Sequence, residues 1–174
     1  DKKKSIVFCA RDHFGQKPFF YYYESGNFIF SSELRSLISN PAIKKTICKN
    51  SIIEYLHYDS FVNGKTPLEN CYKLQPSEYL IFDLKDRKLT KEKYWLLNIK
   101  NKKDNDKYAH DKFIGLLKKS TEMNLRSDVP LALYLSGGID STSLGLISKN
   151  VLSKQNVQAF NLKFKNNTYN ENEI

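Results

Sequence analysis

An apolar run, Leu131 to Leu135, empties directly into Ser136-Gly137-Gly138-Ile139-Asp140-Ser141-Thr142, after which Leu144, Ile147 and Val151 recur at helical spacing. Few folds accept that order. A continuous apolar segment of this length predicts a parallel strand covered on both faces by helices. A glycine pair between such a strand and a helix marks the point where open parallel sheets bind ligands. Val157, Ala159, Leu162 and Phe164 bring back a strand, so the region opens as a strand, helix, strand unit. A helix from about Tyr108 to Leu125 precedes it, with Ala109, Phe113, Leu116, Leu117 and Ser120 on one face, and Pro130 marks its far side. This half predicts the start of a doubly wound α/β domain with a parallel sheet.

The other half follows a different rhythm. Ile6 to Phe8, Phe19 to Tyr23 and Phe28 to Phe30 are short β-like runs punctuated by Gly15, Pro18 and the turn Ser25-Gly26-Asn27. Glu33 to Ser39 carries Leu34, Leu37 and Ile38 at helical spacing and stops at Asn40-Pro41, because a residue before proline resists the helical region. A second helix is expected from Ser51 to about His57, capped by Asn50 or Ser51 and burying Ile52, Ile53 and Leu56. Tyr79 to Phe82 and Lys88 to Tyr94 read as a hairpin around a polar Asp83 to Arg87 turn. This is an α+β pattern built on an antiparallel β sheet. Asn98 to Asp106 offers almost nothing to bury, which sets the expected organisation at 1–97 for the first domain, 98–107 for a linker and 108–174 for the second.

The glycine loop carries the chemistry. The first amides of a helix lack intrahelical acceptors and sit at the positive end of the helix dipole. Two glycines let the backbone approach a phosphate with no Cβ in the way, so an anion is the natural ligand. Ser136, Ser141 and Thr142 add hydroxyl donors. A Gly-Lys-Ser/Thr ending and a GxGxxG string are both absent, which argues against a γ-phosphate transferase and a dinucleotide binder. The plainer alternative is a tight turn with Asp140 as a helix cap.

Bulk properties narrow the class. At 174 residues and 40% hydrophobic content a packed core is expected. No apolar run approaches the roughly 18 residues that span a bilayer, and the opening lysines precede too short an apolar stretch for a signal peptide. A soluble, cytoplasmic protein is expected. The formal charge of +9 invites nucleic acid, but the lysines are scattered in pairs and triplets among asparagines, which reads as solvated surface and not as a phosphate-tracking patch. Cys9, Cys48 and Cys71 are far apart with no CxxC spacing, so neither zinc nor a disulfide framework is suggested.

The string Ser136-Gly137-Gly138-Ile139-Asp140-Ser141 resembles the pyrophosphate loop of the N-type ATP pyrophosphatases, and its approach, Asn124 to Pro130, is similar to that of the asparagine synthetases. Arg11-Asp12-His13-Phe14-Gly15-Gln16-Lys17-Pro18-Phe19-Phe20-Tyr21-Tyr22, followed by Phe30-Ser31-Ser32-Glu33-Leu34, looks like the end of their class II glutamine amidotransferase domain. Leu74-Gln75-Pro76 and Tyr94-Trp95 fit the same pattern, and Ser77 stands where that family usually has glycine. For Arg11-Asp12 a structural ion pair near a turn weighs as much as a functional role.

The resemblance implies an internal fragment of a glutamine-hydrolysing asparagine synthetase, with both domains incomplete. It further implies ATP and Mg²⁺ as cofactors, with aspartate and glutamine as the other small-molecule substrates, a β-aspartyl-adenylate, and release of AMP and pyrophosphate. Leu135, Ser136, Gly137, Gly138, Asp140, Ser141 and Leu162 would bind ATP, the serines and glycines at the pyrophosphate and the two leucines at adenosine, and Asp140 would serve magnesium through the phosphates. The family's nucleophile is an N-terminal cysteine, and this chain begins with Asp1, so no catalytic residue and no complete activity are expected of these residues alone. No membrane or nucleic-acid partner is implied, and a homodimer is compatible with the family. The alternatives are a related ligase of the β-lactam synthetase type that activates another carboxylate, a tRNA-modifying pyrophosphatase, and a non-catalytic remnant that still binds nucleotide.

Overall fold

The computed structural model describes residues 1–99, 105–151 and 158–162. The chain forms two compact units, Asp1–Ile99 and Lys100–Ile174. The middle of the expected linker, and the expected strand positions Val157 and Phe164, lie outside the described residues.

The first unit is mixed α+β and holds two small antiparallel sheets where the sequence suggested one. In chain order its elements are β1 (Ile6–Ala10), β2 (Phe20–Glu24), β3 (Asn27–Ser31), α1 (Leu34–Ile38), α2 (Lys49–Tyr58), β4 (Cys71–Lys73), β5 (Glu78–Asp83) and β6 (Leu89–Lys93). One sheet runs β1-β5-β6 and the other β3-β2-β4. The short strand β4, too brief to show a pattern, pairs Cys71 with Tyr22 and Lys73 with Phe20.

Alternation along β2 explains the layering. Neighbouring side chains on a strand point to opposite faces, so Tyr21 enters a core with Cys9, Leu74 and Leu80, while Tyr22 enters a second core with Leu37, Ile43 and Cys71. The sheet of β2 is therefore apolar on both sides. Phe28 of β3 and Phe82 of β5 stack at 5.0 Å across the first core. Cys9 is a buried hydrophobe within β1. Burial pushes the Tyr21 phenol up to about 12, with Glu78 adding to it.

Helix α2 departs from expectation. Its N-cap position is Cys48, not Asn50 or Ser51, and Ser51 is its buried residue. Ile53 and Leu56, expected inside, are 64% and 78% exposed. Ser51 donates its hydroxyl to Cys48 Sγ at 3.1 Å, so the serine serves the helix start from within the first turn.

In the second unit α3 (Asp106–Asn124) is capped by the Asn105 side chain, which accepts from the Lys107 amide. Its inward stripe is Ile114, Leu117 and Thr121, whereas Phe113 and Leu116 face outward. The expected face is thus rotated by about one residue. Strand β7 (Ala132–Tyr134) pairs in parallel with β8 (Gln158–Phe160), and α4 (Ile139–Val151) lies between them in sequence. The expected double cover of β7 is not seen among the described residues, since Tyr134 is 88% exposed. On α4 the expected Leu144 and Val151 are exposed, and Ser148 is the buried residue. Among the described residues no helix is long and apolar enough to cross a membrane.

Candidate functional site

The candidate site is the turn between β7 and α4. Leu135, just past the strand, donates its amide to the Phe160 carbonyl at 2.8 Å and so continues the pairing with β8 by one step. Ser136 then leaves the sheet. Gly137 has φ +92°, a conformation that costs a residue with a Cβ about 1–2 kcal/mol, and this fixes why glycine stands there. The Gly138 amide donates to Ser136 Oγ at 3.3 Å, and the Gly138 carbonyl accepts the Thr142 amide at 3.1 Å, the first bond of α4.

Hydroxyls brace the loop from inside. Ser136 Oγ and Ser141 Oγ are 3.1 Å apart, and Ser141 Oγ also donates to the Gly138 carbonyl at 3.1 Å. The amides of Ile139, Asp140 and Ser141 open α4 and have no acceptor inside the helix. They form a cluster of donors suited to an anion.

The structure brings Leu135, Ser136, Gly137, Gly138, Asp140 and Ser141 into this one turn. Asp140 sits in the first turn of α4 and is exposed, so it is neither a core residue nor buried away from a ligand. Leu162 lies two residues beyond β8 and is 73% exposed. A carboxylate facing solvent beside the first amides of a helix fits Mg²⁺, which takes one or two carboxylates and fills its shell with waters and phosphate oxygens. Among the described residues no three His, Cys, Asp or Glu side chains converge on a metal position.

Gly145 sets how closely α4 lies on the strand exit. A Cβ there would stand 3.1 Å from Leu135 Cδ2. Asn161, which sequence reasoning passed over, donates Nδ2 to the Leu135 carbonyl at 2.6 Å. Its only sequence signal is a polar residue directly after a strand that ends at Phe160.

In the first unit the motif around Arg11 proves to be an organised loop. Arg11 is buried and spends its guanidinium on main-chain carbonyls, with Nε to Lys17, Nη1 to Leu74 and Nη2 to Gly15, at 2.8, 2.6 and 2.5 Å. Asp12 accepts the amides of Phe14, Gln16 and Lys17. The two side chains thus do separate work, and the structural ion pair considered for them is replaced by two sets of side chain to backbone bonds.

Comparison with known proteins covers both units. Residues 1–95 match the family model described as a glutamine amidotransferase domain, and residues 112–174 match the one described as asparagine synthase. A Methanocaldococcus jannaschii protein provisionally named asparagine synthetase [glutamine-hydrolyzing] 2 is 33% identical over 95% of this chain and 32% of its own length. Asparagine synthetase [glutamine-hydrolyzing] 3 of Bacillus subtilis is 30% identical over 89% of this chain and 25% of its own. Amidase chry2 of Gibberella zeae is 30% identical over 85% and 22%. The chain spans about a third or less of the length of these relatives.

Proposed function

The chain belongs to the glutamine amidotransferase domain family through residues 1–95, and from that premise we propose that the whole protein is a carbon–nitrogen ligase making asparagine from aspartate, ATP and the amide nitrogen of glutamine. The reading organises the chain as 1–97 amidotransferase, 98–107 linker and 108–174 the opening of a doubly wound ATP-pyrophosphatase domain. It places the protein in the cytoplasm, with small molecules and not nucleic acid as its ligands and with room for a homodimer.

One observation carries it: a glycine loop at positive φ, braced by Ser136 and Ser141, opens a helix at the exit of a parallel strand. In the proposed reaction the aspartate side-chain carboxylate attacks the α-phosphorus of ATP and pyrophosphate leaves, giving a β-aspartyl-adenylate. Ammonia from glutamine then displaces AMP. Negative charge grows on the departing pyrophosphate, and preset donors aimed at developing charge lower the barrier without reorganising. The amides opening α4 supply those donors, and Ser136 and Ser141 brace the turn that aims them. Asp140 would hold Mg²⁺, which neutralises phosphate charge when bound. Leu135 and Leu162, on adjacent strand exits, offer apolar surface to adenosine.

The experiment follows pyrophosphate release by the full-length protein with ATP and Mg²⁺, with aspartate and glutamine added or withheld. Release that requires aspartate supports the asparagine reading; release indifferent to aspartate overturns it.

A second reading keeps the scaffold and changes the carboxylate or the amide acted upon. The likeness to a protein named amidase chry2 favours it, since similar residues there carry a different name. Pyrophosphate release prompted by another carboxylic acid and not by aspartate would decide for it.

A further inference from the structure

Leu135 is the hinge between β7 and the loop, and both of its backbone groups are held by the exit of β8. Its amide reaches the Phe160 carbonyl by ordinary strand pairing. Its carbonyl does not rely on the ladder, which ends at Phe160, but accepts the side-chain amide of Asn161 at 2.6 Å.

That carbonyl belongs to the same rigid peptide plane as the Ser136 amide. Pinning it fixes the direction in which Ser136 departs. Ser136 Oγ in turn accepts the Gly138 amide and lies 3.1 Å from Ser141 Oγ, so the orientation of one peptide plane passes through a single hydroxyl to both ends of the loop.

We propose that Asn161 is a positioning residue for the glycine loop: through the Leu135 carbonyl it presets the cradle of donors for the outer phosphates of a nucleotide. The inference rests on the pyrophosphate reading of the loop and adds to it a residue outside the Ser-Gly-Gly string. An exposed hydrogen bond of this kind contributes little to folding. Its effect therefore appears in ligand binding and loop protection, because sites need their groups held within about 0.5 Å by residues behind them.

The test uses the full-length protein and three forms: the natural residue, Asn161→Leu, which keeps the bulk and loses the donor, and Asn161→Gln, which keeps a donor. Hydrogen exchange of the segment 135–142 is measured without nucleotide, and pyrophosphate release is measured against ATP concentration. Asn161→Leu is expected to exchange faster in that segment and to raise the KM for ATP about tenfold with kcat changed by less than about twofold. Asn161→Gln is expected to recover part of both, with all three melting at similar temperatures.

If the natural protein uses ATP and Asn161→Leu matches it in exchange and in KM, the loop reading stands and the role of Asn161 is overturned. If the natural protein neither binds ATP nor releases pyrophosphate, the loop reading fails and takes the inference with it. A loss in Asn161→Leu that comes only with a lower melting temperature, and is not rescued by Asn161→Gln, also overturns it.

Discussion

Arg11 Nη1 donates to the Leu74 carbonyl at 2.6 Å, a buried bond between residues 63 positions apart. It fastens the loop after β1 to the segment that leads into β5. Lysine cannot replace the guanidinium fork, because a single ammonium does not reach three carbonyls in a plane. Arg11→Lys is expected to destabilise the first unit by roughly 3 kcal/mol, since a buried carbonyl loses a charged donor. A denaturant melt checks it, with the midpoint falling and the slope unchanged. Gly15→Ala should act in the same direction, because its φ is +66° and a Cβ would lie 2.7 Å from Arg11 Cζ.

Asp12 sets an acid limit on the same loop. Hydrogen bonds from the amides of Gln16 and Lys17 foremost, then those of Phe14 and Gly15, hold its carboxyl below the usual 3.8. A folded value below the unfolded one means the stabilisation is complete above about 3.8 and disappears as pH falls through the depressed value. The Gln16 and Lys17 amide resonances should therefore hold their positions on acidification to about pH 4 and move only below it. In Asp12→Asn that movement should vanish. Movement centred above pH 4 would contradict the account.

Cys48 should be the reactive thiol. The Ser51 hydroxyl foremost, then the Ser51 amide, lowers its pKa, whereas burial raises those of Cys9 and Cys71. Thiolate is the reacting form. Iodoacetamide at neutral pH should label Cys48 first, and Ser51→Ala should slow that labelling. Equal labelling of all three in the folded protein would refute it.

Ser77 holds φ +58° in a tight corner, donating its amide to Asp12 and accepting the amide of Tyr94. Glycine adopts this conformation without the Cβ penalty. Ser77→Gly is expected to gain about 1 kcal/mol, read as a higher melting temperature. A lower one would mean that the buried serine side chain contributes more than the strain costs.

Gly137 offers the converse. Gly137→Ala forces a Cβ into φ +92°, so the loop should relax away from its braced form. Stability is expected to fall by no more than about 2 kcal/mol, while ATP-dependent pyrophosphate release in the full-length protein falls by at least about tenfold. Unchanged release would remove the loop from the reaction.

Much of the arrangement was readable in the residues, and the losses have physical causes. The strands around Phe8, Tyr21, Phe28 and Leu80 announced themselves because aromatic and branched residues cluster in short runs between turn formers. The turn at 136–141 was legible because glycine has so few substitutes at positive φ. The inward face of α3 was legible only at Leu117: Phe113, Leu116 and Ser120 lie one step around the helix from Ile114, Leu117 and Thr121, and with apolar residues on both stripes the period alone cannot choose. On α2 the pattern of Ile53 and Leu56 suggested burial that Ser51 takes instead. The tether from Asn161 joins positions 26 apart, and a bond from a side chain to a distant carbonyl leaves no local pattern.

The Tyr94 hydroxyl donates to the Arg11 carbonyl at 2.7 Å, and the His13 ring meets Tyr94 and Trp95 edge-on at 5.3 and 5.0 Å. For anyone dividing the polypeptide for separate expression, this decides where to place the scissors. A cut just after β6 would discard both rings and leave the stretch that follows β1 without its clasp. One made beyond Trp95 carries the clasp along.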